Sequence, residues 1–362
     1  MLSKLIFKRA LEAVAHIADH TPPWDGILNT ARDLIGADSG TLIMMDGQGG
    51  LLGLNQVGLD KEAITAYAEH YHKLDLLAEA ASKVSPGIWL DSNELFPASS
   101  LRRTEFYTDY QRKHGHEQSL ALVLEQNPLR RTGLSFQRST VLEGAKSKLL
   151  DGDVAIYIQS LQAALARRNA SMASQLKTVE DTFTALGEAS CLVAPSGVVL
   201  RYSPLAGQLL DHPRGLCIRQ GHMWHPAQPV RALLSKRLID TINTGIPSRV
   251  TVALARGETL RLDITVAGPQ FRMSDEPLNF IRLRRLSAMA ELDVLELVAI
   301  FGITMAEAKV LAGLASGLTP AEFAMQHGVS ESTVRKQVAS LKTKMNCSRA
   351  VELVKLALLS QR

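Results

Sequence analysis

Between Ser330 and Met345 the chain sets small and cationic side chains at helical spacing. At about 100° per residue, Ser332, Lys336, Ala339 and Thr343 fall on one face, with Arg335 and Ser340 beside it. Val334, Val338, Leu341 and Met345 follow the i, i+4, i+7, i+11 spacing and make an apolar stripe on the other side. Small residues let a helix enter a groove closely, while Arg and Lys reach base edges or phosphates. The chemistry offered is recognition of a polyanion in the major groove. A generic amphipathic helix with a solvated basic face has the same pattern, so the elements around it must decide.

Those elements are written locally. Thr304-Met-Ala-Glu307 has the form of a capping box, in which the hydroxyl accepts an orphan amide and the carboxylate reaches back. Helical periodicity follows through Ala308, Leu311, Ala312 and Ala315, and Gly317 supplies a left-handed stop. Thr319-Pro-Ala-Glu322 is a second capping box, with Pro320 at the first helical position. Its helix is short, because Gly328-Val329-Ser330 follows, and Ser330 then caps a helix over Glu331–Lys344. Two short helices joined by a tight glycine-containing turn make a helix-turn-helix. Charge agrees. From Ile300 onward eight basic residues stand against four acidic ones, and that surplus equals the +4 of the whole 362-residue chain. A basic tail on a neutral body reads as a module facing a polyanion.

The run LTPAEFAMQHGVSESTVRKQVASLKTKMNCSRAVELVKLALL resembles the DNA-binding domain of LuxR-type transcriptional regulators. The matching features are Glu307, Gly317, Ala324, Gly328-Val-Ser, Thr333-Val334-Arg335, Lys344, and Ser348-Arg349 opening a fourth helix. The resemblance implies that Arg335, Lys336 and Ala339 face bases or nearby backbone. It further implies that Thr333, Gln337 and Lys344 dock phosphates, and that the fourth helix, Arg349 to about Ser360, supports dimerisation. Gln337 stands where many members have His, and Ala339 lacks the longer polar side chain often found there. One such module makes too few contacts for specific binding at cellular salt, so a homodimer on double-stranded DNA is expected.

The preceding residues alternate helical and strand-like patterns. Thr41–Met45 with the turn Asp46–Gly50, then Gly53–Val57, read as a hairpin. Helices over Ile64–His72 and Phe106–Lys113 and strands at Trp89-Leu90, Ser119–Glu125 and Gly133–Phe136 complete an α+β pattern. This resembles the GAF/PAS-like sensor domains that precede LuxR-type modules. Tyr71-His-Lys-Leu-Asp75, followed by Trp89, also resembles the ligand pocket of autoinducer-binding domains, which implies an acyl-homoserine lactone-like ligand on Tyr71, Asp75 and Trp89. Leu76 replaces the Pro that normally follows the Asp, and the plainer reading makes Tyr71 and Trp89 core aromatics. Asp153–Lys177 lacks Pro and Gly and reads as a connecting helix. From Asp181 to about Leu286 come strands at 189–194 and 198–202, a helix at 204–210, a hairpin over 249–256 and 259–266 around Gly257, a loop at Met273–Pro277, and a strand at 280–286. That order resembles a PAS domain, with Ser203 where such segments often place Asn.

The expected fold is therefore α+β and multidomain: two PAS/GAF-like antiparallel-sheet domains before an all-α four-helix module. Expected bounds are 1–165 for the first sensory domain, 166–180 for a helical linker, 181–287 for the PAS-like domain and 288–362 for the DNA-binding domain. No Walker A sequence, G-x-G-x-x-G before a helix, or G-x-S-x-G elbow occurs, and no titratable cluster emerges, so an enzyme is not expected. His70/His72, His114/His116 and His212/His222/His225 have metal-like spacings without matching acidic or Cys partners, and neither metal nor cofactor is expected. Cys191, Cys217 and Cys347 are odd in number and scattered, which fits a reducing cytosol. No apolar stretch is long enough for a membrane span. The functional expectation is a cytoplasmic, dimeric transcription regulator modulated by small-molecule or protein signals. The alternatives are a signalling protein whose body mainly binds protein partners, and a quorum-sensing regulator.

Overall fold

The computed structural model describes residues 2–211, 215–254, 258–287 and 292–360, so His212 and Gly257 lie outside the described residues. The fold mixes helices with antiparallel sheets and ends in a helical region. Met1–Val250 with Leu262–Arg284 form one compact unit, and Thr251–Arg261 with Arg285–Arg362 form a second. Among the described residues, no single helix is long and apolar enough to cross a membrane.

The first sheet contains β1 (Ser39–Asp46), β2 (Leu51–Val57), β3 (Trp89–Asp91), β4 (Gln118–Gln126) and β5 (Arg130–Arg138), in the order β2-β1-β5-β4-β3. Neighbours run antiparallel throughout. Alternation along the strands gives the sheet two different faces. Leu42, Met44, Leu120, Leu122, Leu134 and Phe136 are fully buried in a core shared with the helices Leu2–Ala15, Trp24–Ile35 and Gly152–Ala185. The opposite face carries Thr41, Ile43 and Met45 of β1, Gln56 of β2, and Arg131, Ser135 and Gln137 of β5. Thr41 pairs with Gln56 and Ser135, and Met45 with Arg131.

The helix Gly152–Ala185 is longer than the periodicity predicts, at 34 residues, or about 50 Å. No Gly or Pro interrupts it before Gly187, so nothing in the sequence stops it earlier. Residues 166–180, read from the sequence as a linker, lie in its middle. From this helix the buried Arg168 donates to the carbonyls of Ile17 (3.2 Å), Asp19 (2.6 Å) and Arg272 (2.8 Å).

A second sheet contains β6 (Ala189–Val193), β7 (Val199–Tyr202), β10 (Ser248–Ala253), β11 (Glu258–Val266) and β12 (Asn279–Ser287), in the order β10-β11-β12-β6-β7. Numbered from its own first strand, each five-stranded sheet reads 2-1-5-4-3, so the chain uses one strand order twice. Ser203 accepts from the amides of Ala206 and Ser190 (3.2 Å each), capping the helix Pro204–Leu209 and tying it to β6. Two features absent from the sequence reading intervene: a small hairpin of β8 (Cys217–Arg219) and β9 (His222–Trp224), and a helix over Gln228–Thr244. The Met273–Pro277 stretch is a loop in which Met273, Ser274 and Glu276 are buried. Trp24 Nε1 donates to Met273 O (2.8 Å), Ser274 Oγ donates to Asn55 of β2, and Glu276 accepts from the amides of Met273 and Ser274 (2.6 Å each).

Candidate nucleic-acid interface and ligand cavity

In the C-terminal unit the helices run Val294–Phe301, Met305–Ala315, Pro320–His327, Glu331–Lys344 and Ala350–Ser360. The first of these precedes the four that the sequence outlines. Both capping boxes form: Thr304 N donates to Glu307 (2.7 Å) and Thr319 N to Glu322 (2.7 Å), with the return bonds at 3.3 and 3.2 Å. Gly317 and Gly328 adopt positive φ (94° and 66°), the left-handed geometry that lets each chain segment leave its helix sharply. Ser330 accepts from Thr333 N (3.1 Å) and starts the next helix immediately after the turn. Val334, Leu341 and Met345 are buried with Leu297, Leu311, Phe323 and Leu353 in the unit's core, which fixes the helix's rotation.

That rotation leaves Ser332, Thr333, Arg335, Lys336, Ala339, Thr343 and Lys344 exposed, and Gln337 half-buried. Arg335 pairs with Glu331 one turn back (2.7 Å), both at the surface, whereas no ion pair involves Lys336 among the described residues. Ser340 differs from its expected place on the open face. Its Oγ donates to Glu307 Oε1 (2.6 Å), and Lys344 Nζ donates to Glu307 Oε2 (2.8 Å). Glu307 therefore closes its own capping box and clamps the later helix from inside. Burial pushes its carboxyl up, but hydrogen bonds from Lys344, Ser340 and Thr304 outweigh that and hold it at about 2.

The mixed face of the first sheet forms the floor of a cavity roofed by the helices Lys61–Glu69 and Leu76–Ala81 and by a π-helical turn at Phe106–Gln111. Asp75 lines it. Its Oδ1 caps the helix Leu76–Ala81 by accepting from Leu77 N (2.9 Å) and Ala78 N (3.1 Å), and its Oδ2 accepts from Tyr67 Oη (2.8 Å). Burial pushes this carboxyl above the usual range against those three hydrogen bonds. Burial and the adjacent Asp75 raise the Tyr67 phenol well above its ordinary value. Tyr71 and Trp89 do not line the cavity. Tyr71 is half-buried against Phe106 and Tyr110, and Trp89 packs on Phe136 in the core on the sheet's other face. Tyr67, one turn earlier, is the tyrosine that meets Asp75.

The histidines are dispersed. His70 pairs with Glu105 (2.7 Å), His72 contacts Tyr67 O (3.2 Å), and His225 accepts from Ala227 N (3.0 Å). Among the described residues, no group of three His, Cys, Asp or Glu stands ready for a metal. His116 lines the cavity, and burial, helped by His114, lowers it to about 4, so the ring is neutral at pH 7.

A short helix, a glycine turn and a second helix that spends its apolar side on the core and offers a basic side outward define a helix-turn-helix DNA-binding module. Residues 303–357 match the family described as "Bacterial regulatory proteins, luxR family", and this segment is a LuxR-family helix-turn-helix domain. Curated proteins give no significant sequence match. Among solved structures, the VqsR LBD domain from Pseudomonas aeruginosa is similar at 12% identity and TM-score 0.36, covering 45% of this chain and 96% of that one. The N-acylhomoserine lactone dependent LuxR family factor CepR2 from Burkholderia cenocepacia is similar at 12% identity and TM-score 0.35, covering 47% and 99%. Escherichia coli SdiA is similar along 99% of this chain and 94% of its own, at 12% identity and TM-score 0.29. Likenesses this low leave the functional reading to the residues themselves.

Proposed function

We propose that the protein is a cytoplasmic transcription regulator that binds double-stranded DNA as a homodimer, with operator affinity set by signals at two GAF/PAS-like domains. The observation that carries the reading is the helix Glu331–Lys344, whose Val334 and Leu341 are buried while Arg335, Lys336, Ala339 and Thr343 stay open. Arg335 and Lys336 contact base edges or nearby backbone, and Ala339 allows close approach. Thr333, Gln337 and Thr343 border phosphates, while Lys344 has its ammonium on Glu307 and supports the helix first. The helix Ala350–Ser360 supplies dimer contacts through exposed Val351 and Leu359. Two half-sites about one helical turn apart follow from a two-fold dimer.

The repeated 2-1-5-4-3 strand order supports the GAF/PAS-like reading of both sheets, and the cavity on the first sheet is the ligand site, with Asp75 in its wall. A small molecule that prefers one arrangement of the chain shifts DNA affinity by that preference and no more. The test is an electrophoretic shift assay on duplexes selected by the full-length protein from a randomised pool. Arg335→Ala and Lys336→Ala should each weaken binding by about 1–3 kcal/mol. Unchanged binding in both variants overturns the placement of the recognition helix.

A further inference from the structure

The cavity has two chemically different ends, and the following rests on its being a ligand site. One end holds Asp75, Tyr67 and Arg131, and it lies towards an outer groove that Met45, Asp75, Phe106 and Arg131 also line. From Met45 to Thr41 along β1 the floor runs about 13 Å inward. There the side chains are polar and uncharged. Gln56, Thr41 and Ser135 lie side by side across β2, β1 and β5, and Ser119 and Gln137 form the neighbouring pair on β4 and β5. Most of these groups satisfy one another: Gln137 Nε2 donates to Ser135 Oγ (2.8 Å), and Ser39 Oγ donates to Gln137 Oε1 (2.6 Å).

Two amides are left over. Gln56 Nε2 is spent on Thr41 Oγ1 (3.2 Å) and Gln111 Nε2 on Ser119 Oγ (3.5 Å), while Oε1 of each is buried with no hydrogen-bond partner. Both residues line the cavity. A buried amide oxygen without a donor costs about 1–3 kcal/mol, and native structures rarely keep one. No charged side chain lines this inner end, where the His116 ring is neutral at pH 7. An inner carboxylate would be buried without a counter-ion, and an inner methyl would leave both amides unsatisfied. A hydroxyl has one proton to donate, so it satisfies one of these two oxygens, and it can still accept if that amide is turned.

We propose that the cavity selects an uncharged, medium-length amphiphile with a polar group at each end, its hydroxyl lying at the inner end and donating to one of the two orphaned oxygens, Gln56 Oε1 or Gln111 Oε1. Selection against a plain alkyl tail and against an inner carboxylate follows from the same residues. Isothermal titration of the full-length protein with octanamide, 8-hydroxyoctanamide and 8-amino-8-oxooctanoate tests it. The hydroxyamide should bind about tenfold more tightly than octanamide, the worth of one net hydrogen bond, and the carboxylate should be the weakest of the three. In Gln56→Leu or in Gln111→Leu, whichever removes the accepting oxygen, the hydroxyamide-to-octanamide ratio should fall towards one. The ratio is read within each variant, so partial loss of folded protein cancels. Octanamide binding as tightly as the hydroxyamide to the parent protein overturns the inference and leaves the cavity as a ligand site. An undiminished ratio in both variants overturns the role of the two amides. No binding of any of the three overturns the inference together with the ligand-site reading beneath it.

Discussion

Replacing Glu307 by Gln keeps a capping-box side chain at that position but removes the charge that Lys344 and Ser340 hold from the other helix. A carboxyl moved from its ordinary 4.5 to about 2 in the folded state contributes about 3 kcal/mol at neutral pH. Its folded value lies below its unfolded one. The contribution is therefore complete above pH 4.5 and is lost as pH falls through about 2. Hydrogen exchange on full-length protein resolves the effect by segment. In Glu307→Gln, slow amides within residues 303–357 should exchange about a hundredfold faster at pH 7, while peptides from β4 and β5 keep their protection. The stability difference between parent and variant should shrink towards zero near pH 2. DNA affinity should fall as well, because the clamp sets the rotation of the recognition helix. Protection within about threefold of the parent at pH 7 would refute the reasoning and reduce Glu307 to a local cap.

Gly313→Ala would place a Cβ 2.4 Å from Phe323 Cδ2 and 2.8 Å from its Cε2, in the core of the C-terminal unit. A loss of about 1–3 kcal/mol is expected, read by hydrogen exchange in the same segment, and an unchanged variant would show that the two helices pack less closely than described. His116→Gln addresses acid sensitivity. The folded ring is held at about 4 against an ordinary 6.5, so the first unit binds fewer protons than its unfolded form between those values. Its stability should fall by about 3 kcal/mol as pH drops through that window. The variant should flatten that slope in urea titrations at pH 7 and 4.5.

The C-terminal module was legible because its signals are local. Thr304, Thr319 and Ser330 each bond three residues ahead, and no long-range knowledge is needed to place such a cap. The second role of Glu307 was not legible, since Ser340 and Lys344 reach it only once the helices pack. The helix Gln228–Thr244 was missed because it buries only Leu234, Leu238 and Thr241, too few for a clear periodicity. Pro229 and Gly245 at its ends were the available signal. Three-residue strands such as β8 and β9 are too short to alternate visibly. The cavity was hidden for another reason. Its floor is assembled by register between strands far apart in sequence, so the spacing of Tyr71 and Asp75 could not disclose that Tyr67 is the partner. Ser274 and Glu276 look like surface-loop residues until their partners are seen, Asn55 for the one and two backbone amides for the other.

Strand β2 separates two environments with the thickness of one peptide chain. Gln56 turns its amide towards the cavity, while its neighbour Asn55 receives Ser274 of the buried loop, and Gly53 lies where an added Cβ would come within 2.9 Å of Glu276 Cβ. Consecutive residues on a strand point to opposite sides, so one peptide plane joins both. The floor of the cavity and the anchor of the loop that leads into β12 are therefore two faces of one strand, joined by covalent bonds and not by a relay of side-chain contacts.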